Sequence, residues 1–153
     1  MTNSTARVSG LTCSAIHYAC LVICLTAGLL IAPARADVES CRNFEIHHTT
    51  FNSLLISPAV AAAHNITRSK RRIITNITII QNGKSVTANV AGTNTNLFNQ
   101  LFTMQFDEII EPGAIYYLAN QLIDERDTLA FKVNIIPTGQ SQTCNIQFTR
   151  QYY

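Results

Sequence analysis

The sequence predicts an all-β fold, an antiparallel β-sandwich of about seven or eight short strands with one short helix, preceded by a cleaved signal peptide. Three observations carry that expectation. Short runs rich in Ile, Val, Thr and Phe alternate apolar with polar residues. Turn dipeptides such as Asn82-Gly83 and Pro112-Gly113 punctuate them, and no long stretch has helical periodicity. A small closed barrel is the alternative arrangement of the same strands.

The chain has 153 residues, 47% hydrophobic and 13% charged, which suits a single packed domain and excludes a disordered or fibrous chain. No charge occurs from Val8 to Ala34, and Tyr18 to Ile31 is an apolar run behind Arg7. Ala34 and Ala36 offer the small side chains a signal peptidase accepts, so the leader is expected over residues 1–36, cut between Ala36 and Asp37. The run is shorter than the roughly 18 residues of a membrane anchor, so no span is expected in the mature domain, residues 37–153. The chain is therefore expected to be exported.

Cleavage removes Arg7 and Arg35 and takes the formal charge from +2 to zero, which takes away the electrostatic case for nucleic acid. It also removes Cys13, Cys20 and Cys24. The remaining pair, Cys41 and Cys144, reads as a disulfide in an exported protein. Closing a loop of that order is worth about 4.7 kcal/mol in the chain-entropy model. Free thiols or metal thiolates suit a reducing compartment better.

Taken in order, Phe44 to Thr50 alternates as a half-buried strand, with Phe44 and Ile46 on one face and Glu45 and His47 on the other; Phe51 to Ile56 continues it. Ser57-Pro58 is an N-cap with Pro at the first helical position, opening a short Ala-rich helix to about His64. Ile73 to Gln81 and Lys84 to Ala91 form a hairpin about Asn82-Gly83. Gly92 to Asn96 reads as a polar loop. Further strands are expected at Leu101 to Ile110, Ala114 to Gln121, Leu129 to Ile136 and Thr143 to Tyr152. A core Trp between the cysteines, the mark of antibody domains, is missing.

Few residues suggest chemistry. His47 and His48 are adjacent and point to opposite faces of a strand, so a metal site would need one of them with His64, Cys41 or Cys144, and no zinc-like spacing occurs. Arg68-Ser69-Lys70-Arg71-Arg72 is the one dense charge cluster; it reads as the solvated approach to a strand or as a contact for an anionic partner such as a lipid headgroup or acidic protein. There is no Gly-x-Ser-x-Gly elbow, glycine-rich phosphate loop or His-Glu-x-x-His signature, so neither an enzyme nor a cofactor is expected. Tyr116-Tyr117 and Tyr152-Tyr153 place phenols on both faces of their strands.

His47-His48-Thr49-Thr50-Phe51-Asn52-Ser53, Arg68-Ser69-Lys70, Asn76-Ile77-Thr78, Asn96-Leu97 with Gln100, Ala114-Ile115-Tyr116-Tyr117-Leu118-Ala119 and the terminal Tyr152-Tyr153 stand in that order. Over nearly all of Phe44 to Tyr153 the chain resembles a bacterial family of small exported proteins classed as a domain of unknown function. The family occurs in Gram-negative bacteria, and the resemblance implies an immunoglobulin-like sandwich, a periplasmic location and no activity. On these grounds the expected function is a non-enzymatic interaction or accessory domain of the cell envelope, bound to an envelope protein or ligand. A pilus-like subunit using strand exchange and a metal-binding domain using His47, His48 or His64 are the alternatives. His47, Asn52, Arg68, Lys70 and Tyr116 are the candidate interaction surface if they converge on one pocket; if they scatter, they maintain the fold.

Overall fold

The computed structural model describes residues 37–124 and 126–152. The expected leader, its cleavage point at Ala36 and the terminal Tyr153 lie outside them, or at their border in the case of Asp37.

Among the described residues, ten strands form two antiparallel sheets. The six-stranded sheet holds β1 (Asp37–Cys41), β2 (Phe44–Asn52), β3 (Arg72–Gln81), β8 (Ala114–Leu122) and β7 (Asp107–Glu111) in that spatial order, with β4 (Lys84–Ser85) beside β3. The four-stranded sheet runs β10 (Cys144–Gln151), β9 (Thr128–Pro137), β5 (Ala88–Thr95), β6 (Leu101–Met104). The one α-helix among the described residues, α1 (Pro58–Ala63), starts as expected, with the Ser57 hydroxyl accepting from the Val60 N–H at 3.3 Å.

The core follows from strict alternation. Ile46 on β2, Ile77 and Ile79 on β3, and Val133 and Ile135 on β9 are fully buried between the sheets. Burying each such side chain contributes about 1.5–3 kcal/mol. A smaller apolar cluster of Ala61, Ile66 and Ile74 lies under α1 on the other face of the six-stranded sheet.

Ten strands replace the seven or eight expected, because two long runs break where the chain changes sheet. Lys84 to Ala91 divides at Val86-Thr87: β4 stays with β3, whereas β5 pairs with β9 and β6. Leu101 to Ile110 divides at Gln105-Phe106 between β6 and β7. The expected loop Gly92 to Asn96 is strand as far as Thr95, and the segment preceding Cys41, not expected as a strand, pairs as β1 with β2. Phe51 to Ile56 is not one extended piece. Asn52 accepts the Leu54 N–H on its side-chain oxygen at 2.9 Å and turns the chain into a 3-10 turn, Ser53–Leu55.

Polar ties and one covalent bond join the sheets. The disulfide Cys41–Cys144 links the end of β1 to the start of β10, Cα to Cα 6.0 Å. Asn94 is fully buried and exchanges amide hydrogen bonds with Gln121, the Gln121 amide donating at 2.8 Å. The Tyr117 hydroxyl accepts from the Ala88 N–H at 2.7 Å and donates to Glu108 at 2.5 Å. Burial first, then the Glu108 bond, pushes the Tyr117 phenol up to about 12.

Candidate functional site

The register separates the two ends of the sandwich. One end has tight connections: Arg42-Asn43, Asn82-Gly83, Pro112-Gly113 and the turn after Pro137. The other has long ones. There β2 ends at Asn52, Arg72 pairs with Leu122, Thr95 pairs with both Leu101 and Ala130, and Gln151 pairs with Thr128. Residues 53–71 and 96–100, with Ile123, Asp124, Arg126 and Asp127, therefore gather at a single loop end.

Residues 53–71 are held to the sheet by side chains bonding to backbone. The Asn52 amide donates to the Lys70 carbonyl at 2.7 Å. The fully buried Ser53 hydroxyl accepts from the Ser69 N–H at 2.9 Å and donates to the Ser69 carbonyl at 3.1 Å. The Arg68 guanidinium donates to the Leu54 carbonyl at 2.9 Å. Local turn chemistry of Asn and Ser is used here over a long sequence distance. Beside this knot lies a cleft of about 480 Å³, lined by Asn52, Lys70, Arg71, Arg126, Tyr152 and others. Arg71 meets Asp124 at 2.9 Å, whereas the side chains of Lys70 and Arg126 have no partner among the described residues. Arg126 is held at a positive φ of 57°. The Tyr152 hydroxyl closes the inner wall by donating to Thr50 at 2.8 Å, and burial raises its pKa.

The β5–β6 connection is built in the same manner and carries a different cargo. The Asn96 side-chain oxygen accepts from the N–H groups of Phe98 (3.0 Å) and Gln100 (2.9 Å), its amide donates to the Gln100 side chain (2.7 Å), and the Asn99 N–H bonds the Asn96 carbonyl (3.0 Å). The N–H groups of Phe98, Asn99 and Gln100 are thus all satisfied within the loop. What the loop presents is apolar: Phe98 is 82% exposed, Leu97 68% and Leu101 67%. Leu54 and Leu55, on the 3-10 turn at the same end, are exposed as well.

The five candidate residues do not form one pocket. Asn52, Arg68 and Lys70 meet at the knot, and Asn52 and Lys70 line the cleft. His47 lies on β2, five residues before Asn52 and so about 16 Å away along the strand, where it faces outward 3.5 Å from Glu45. Tyr116 is also on the outer face, opposite Ile109 of β7. His48 points inward instead, 3% exposed, stacked on Phe148 at 4.2 Å and 3.4 Å from Glu39. Burial lowers its pKa below 6.5, against the opposing pull of Glu39. His64 caps α1 and lines a separate cleft with Asp107 and Asn120. Among the described residues no three His, Cys, Asp or Glu side chains group as metal ligands.

Sequence reasoning missed Arg71, Arg126 and Tyr152 as cleft residues, and it missed the apolar tip. A signal for the tip was present: no charged residue stands between Lys84 and Asp107, and Leu97-Phe98 breaks the alternation.

Residues 38–153 match a family described as "Domain of unknown function (DUF4426)". A DUF4426 family protein of Pseudomonas aeruginosa PAO1, PA0388, has a similar crystal structure, with TM-score 0.71 and 30% identity, covering 77% of this chain and 94% of that one. FetP of uropathogenic Escherichia coli strain F11, expressed recombinantly in the periplasm, is similar in fold, with TM-score 0.54 and 10% identity over 76% of this chain and 93% of its own. A copper-bound variant of FetP gives TM-score 0.55 and 9% identity over 76% of this chain and 94% of its own. No curated protein matches the chain.

Proposed function

Given that the chain belongs to the DUF4426 family, whose description carries no activity, we propose that it is an exported, non-enzymatic binding domain of the bacterial cell envelope that works through the loop end of its sandwich. One observation carries this reading: a hairpin clamped by Asn96 holds Leu97, Phe98 and Leu101 out in solvent at the end that also bears the cation-lined cleft. A soluble domain gains nothing in stability from exposing such side chains, and an exposed apolar group on a rigid support is characteristic of a docking surface. Export is supported by the apolar leader at residues 1–36 and by the Cys41–Cys144 disulfide.

Fractionation tests the proposal. The wild-type protein is expected to associate with the envelope fraction, and the double substitution Leu97→Ser, Phe98→Ser to release it; equal association of the two overturns the reading. Strand exchange has less support, because the inner rows are filled by the chain's own Ile46, Ile77, Ile79, Val133 and Ile135, which leaves no strand-shaped gap for a donor. The copper in the FetP variant belongs to that protein, and at 9% identity only the fold carries over. In this chain His47 and His48 lie on opposite faces of β2, and His64 lines a cleft containing neither.

A further inference from the structure

We propose that the loop end docks on an anionic phospholipid bilayer, the apolar tip entering the interface while the cleft cations meet headgroup phosphates. The inference rests on the binding reading above and names the partner. Three observations converge on a lipid surface.

First, the exposed apolar residues are concentrated at this end. Leu54, Leu55, Leu97, Phe98 and Leu101 all project from its connections. Their supports lie on two different sheets, since Leu54 and Leu55 follow β2 whereas Leu97 and Phe98 follow β5. A bilayer interface accepts several such protrusions at once.

Second, three of the tip's backbone donors stay paired when it leaves water. The N–H groups of Phe98, Asn99 and Gln100 bond to acceptors on Asn96. An unsatisfied backbone group in hydrocarbon costs several kcal/mol, so each donor paired within the loop lowers the cost of entering the interface.

Third, the charge is complementary. Residues 53–72 contain Arg68, Lys70, Arg71 and Arg72 and no acid, and the sequence from 123 to 127 adds one base and three acids, so the two segments together carry an excess of two positive charges in a domain that is neutral over residues 37–153. Lys70 and Arg126 line the cleft with no partner side chain among the described residues. The backbone around Lys70 is fixed by Asn52 and Ser53, so its position is set before any ligand arrives. Interfacial binding grows with buried apolar area and with attraction to anionic lipid together, and both are present here.

Co-sedimentation with vesicles tests this, using protein expressed from the full sequence. Vesicles of phosphatidylcholine with a minor share of phosphatidylglycerol are expected to bind it at least about tenfold more tightly than phosphatidylcholine alone, and added salt to erase the difference. Lys70→Gln with Arg126→Asn should weaken binding about thirtyfold, at about 1 kcal/mol for each cation near the surface; Asn suits the positive φ at 126. Leu97→Ser with Phe98→Ser should weaken binding to both vesicle types by more than about tenfold. Lys84→Gln with Lys132→Gln removes two exposed charges elsewhere and should leave binding within about twofold.

No binding to either vesicle, or equal losses in the two charge-removal pairs, overturns the proposal. Saturable binding of glycerol 3-phosphate without vesicle binding also overturns it, by making the ligand a free anion. If vesicles fail while a photo-crosslinker at Phe98 captures an envelope protein, the lipid falls and the binding reading stands.

Discussion

The two ends of the sandwich solve the same problem, returning the chain to a sheet, by different means. At the turn end the connections are short and include three glycines at positive φ, Gly83 at 73°, Gly113 at 87° and Gly139 at 80°; the positive-φ residues described at the loop end are Asn65, Asn99 and Arg126. The Cys41–Cys144 bond is also at that end. At the loop end, residues 53–71 and 96–100 are held by the side chains of Asn52, Ser53 and Asn96. The turn end spends its residues on closure and has little left to offer a partner. The loop end delegates closure to a few buried or half-buried polar side chains, which frees Lys70, Arg126, Leu97 and Phe98 to face outward from a fixed backbone.

The difference can be broken from either side. Removing the staple with Cys41→Ser and Cys144→Ser should cost about 2–5 kcal/mol in chemical denaturation. Hydrogen exchange should then rise throughout both sheets, because the bond acts on the whole chain. Ser53→Ala should cost about 1–3 kcal/mol, since it leaves the Ser69 N–H without its acceptor. Exchange should rise locally at residues 69–71 while the turn end stays protected. Asn96→Ala should cost about 1–2 kcal/mol and deprotect Phe98 and Gln100 in the same local way. If either substitution deprotects the turn end equally, the two ends are a single cooperative unit and the contrast fails.

His48 lies between the ends and supplies a pH test. Its folded pKa is lowered from 6.5 by burial, so the unfolded chain takes up the proton more readily. Stability should therefore fall as pH drops below 6.5, with a slope no steeper than about 1.4 kcal/mol per pH unit for one proton, and level off once pH is below the folded value. His48→Phe should flatten the profile in that window. The smallest stability effect belongs to Leu97→Ser with Phe98→Ser, within about 0.5 kcal/mol by thermal melting, although the same pair is expected to abolish docking.

The contrast also explains what the sequence makes legible. The turn end is local chemistry: Asn82-Gly83, Pro112-Gly113 and an even cysteine pair each speak within a few residues or by compartment, and all lie where expected. The loop end depends on partners far apart in the chain. Nothing in Asn52 or Ser53 alone says that their acceptors and donors stand 16 to 18 residues later, at Ser69 and Lys70. The two sheet changes, at Val86-Thr87 and Gln105-Phe106, were hidden for a related reason, since apolar alternation continues across a break that only the packing of two sheets creates. The family motif is likewise divided. Its Asn, Ser, Arg and Lys residues build the knot, whereas His47 and Tyr116 occupy another surface.

The Cys41–Cys144 bond spans 103 residues of sequence, and all three connections of the loop end fall inside that span. Covalently the domain is a ring with two short tails. A protease that nicks the exposed hairpin at Phe98, or the segment between Ser53 and Arg71, opens the ring without releasing a fragment, so the nicked molecule keeps its mass until a reductant is added. On a non-reducing gel the cut molecule therefore still runs as one species, and its two fragments separate when the sample is reduced.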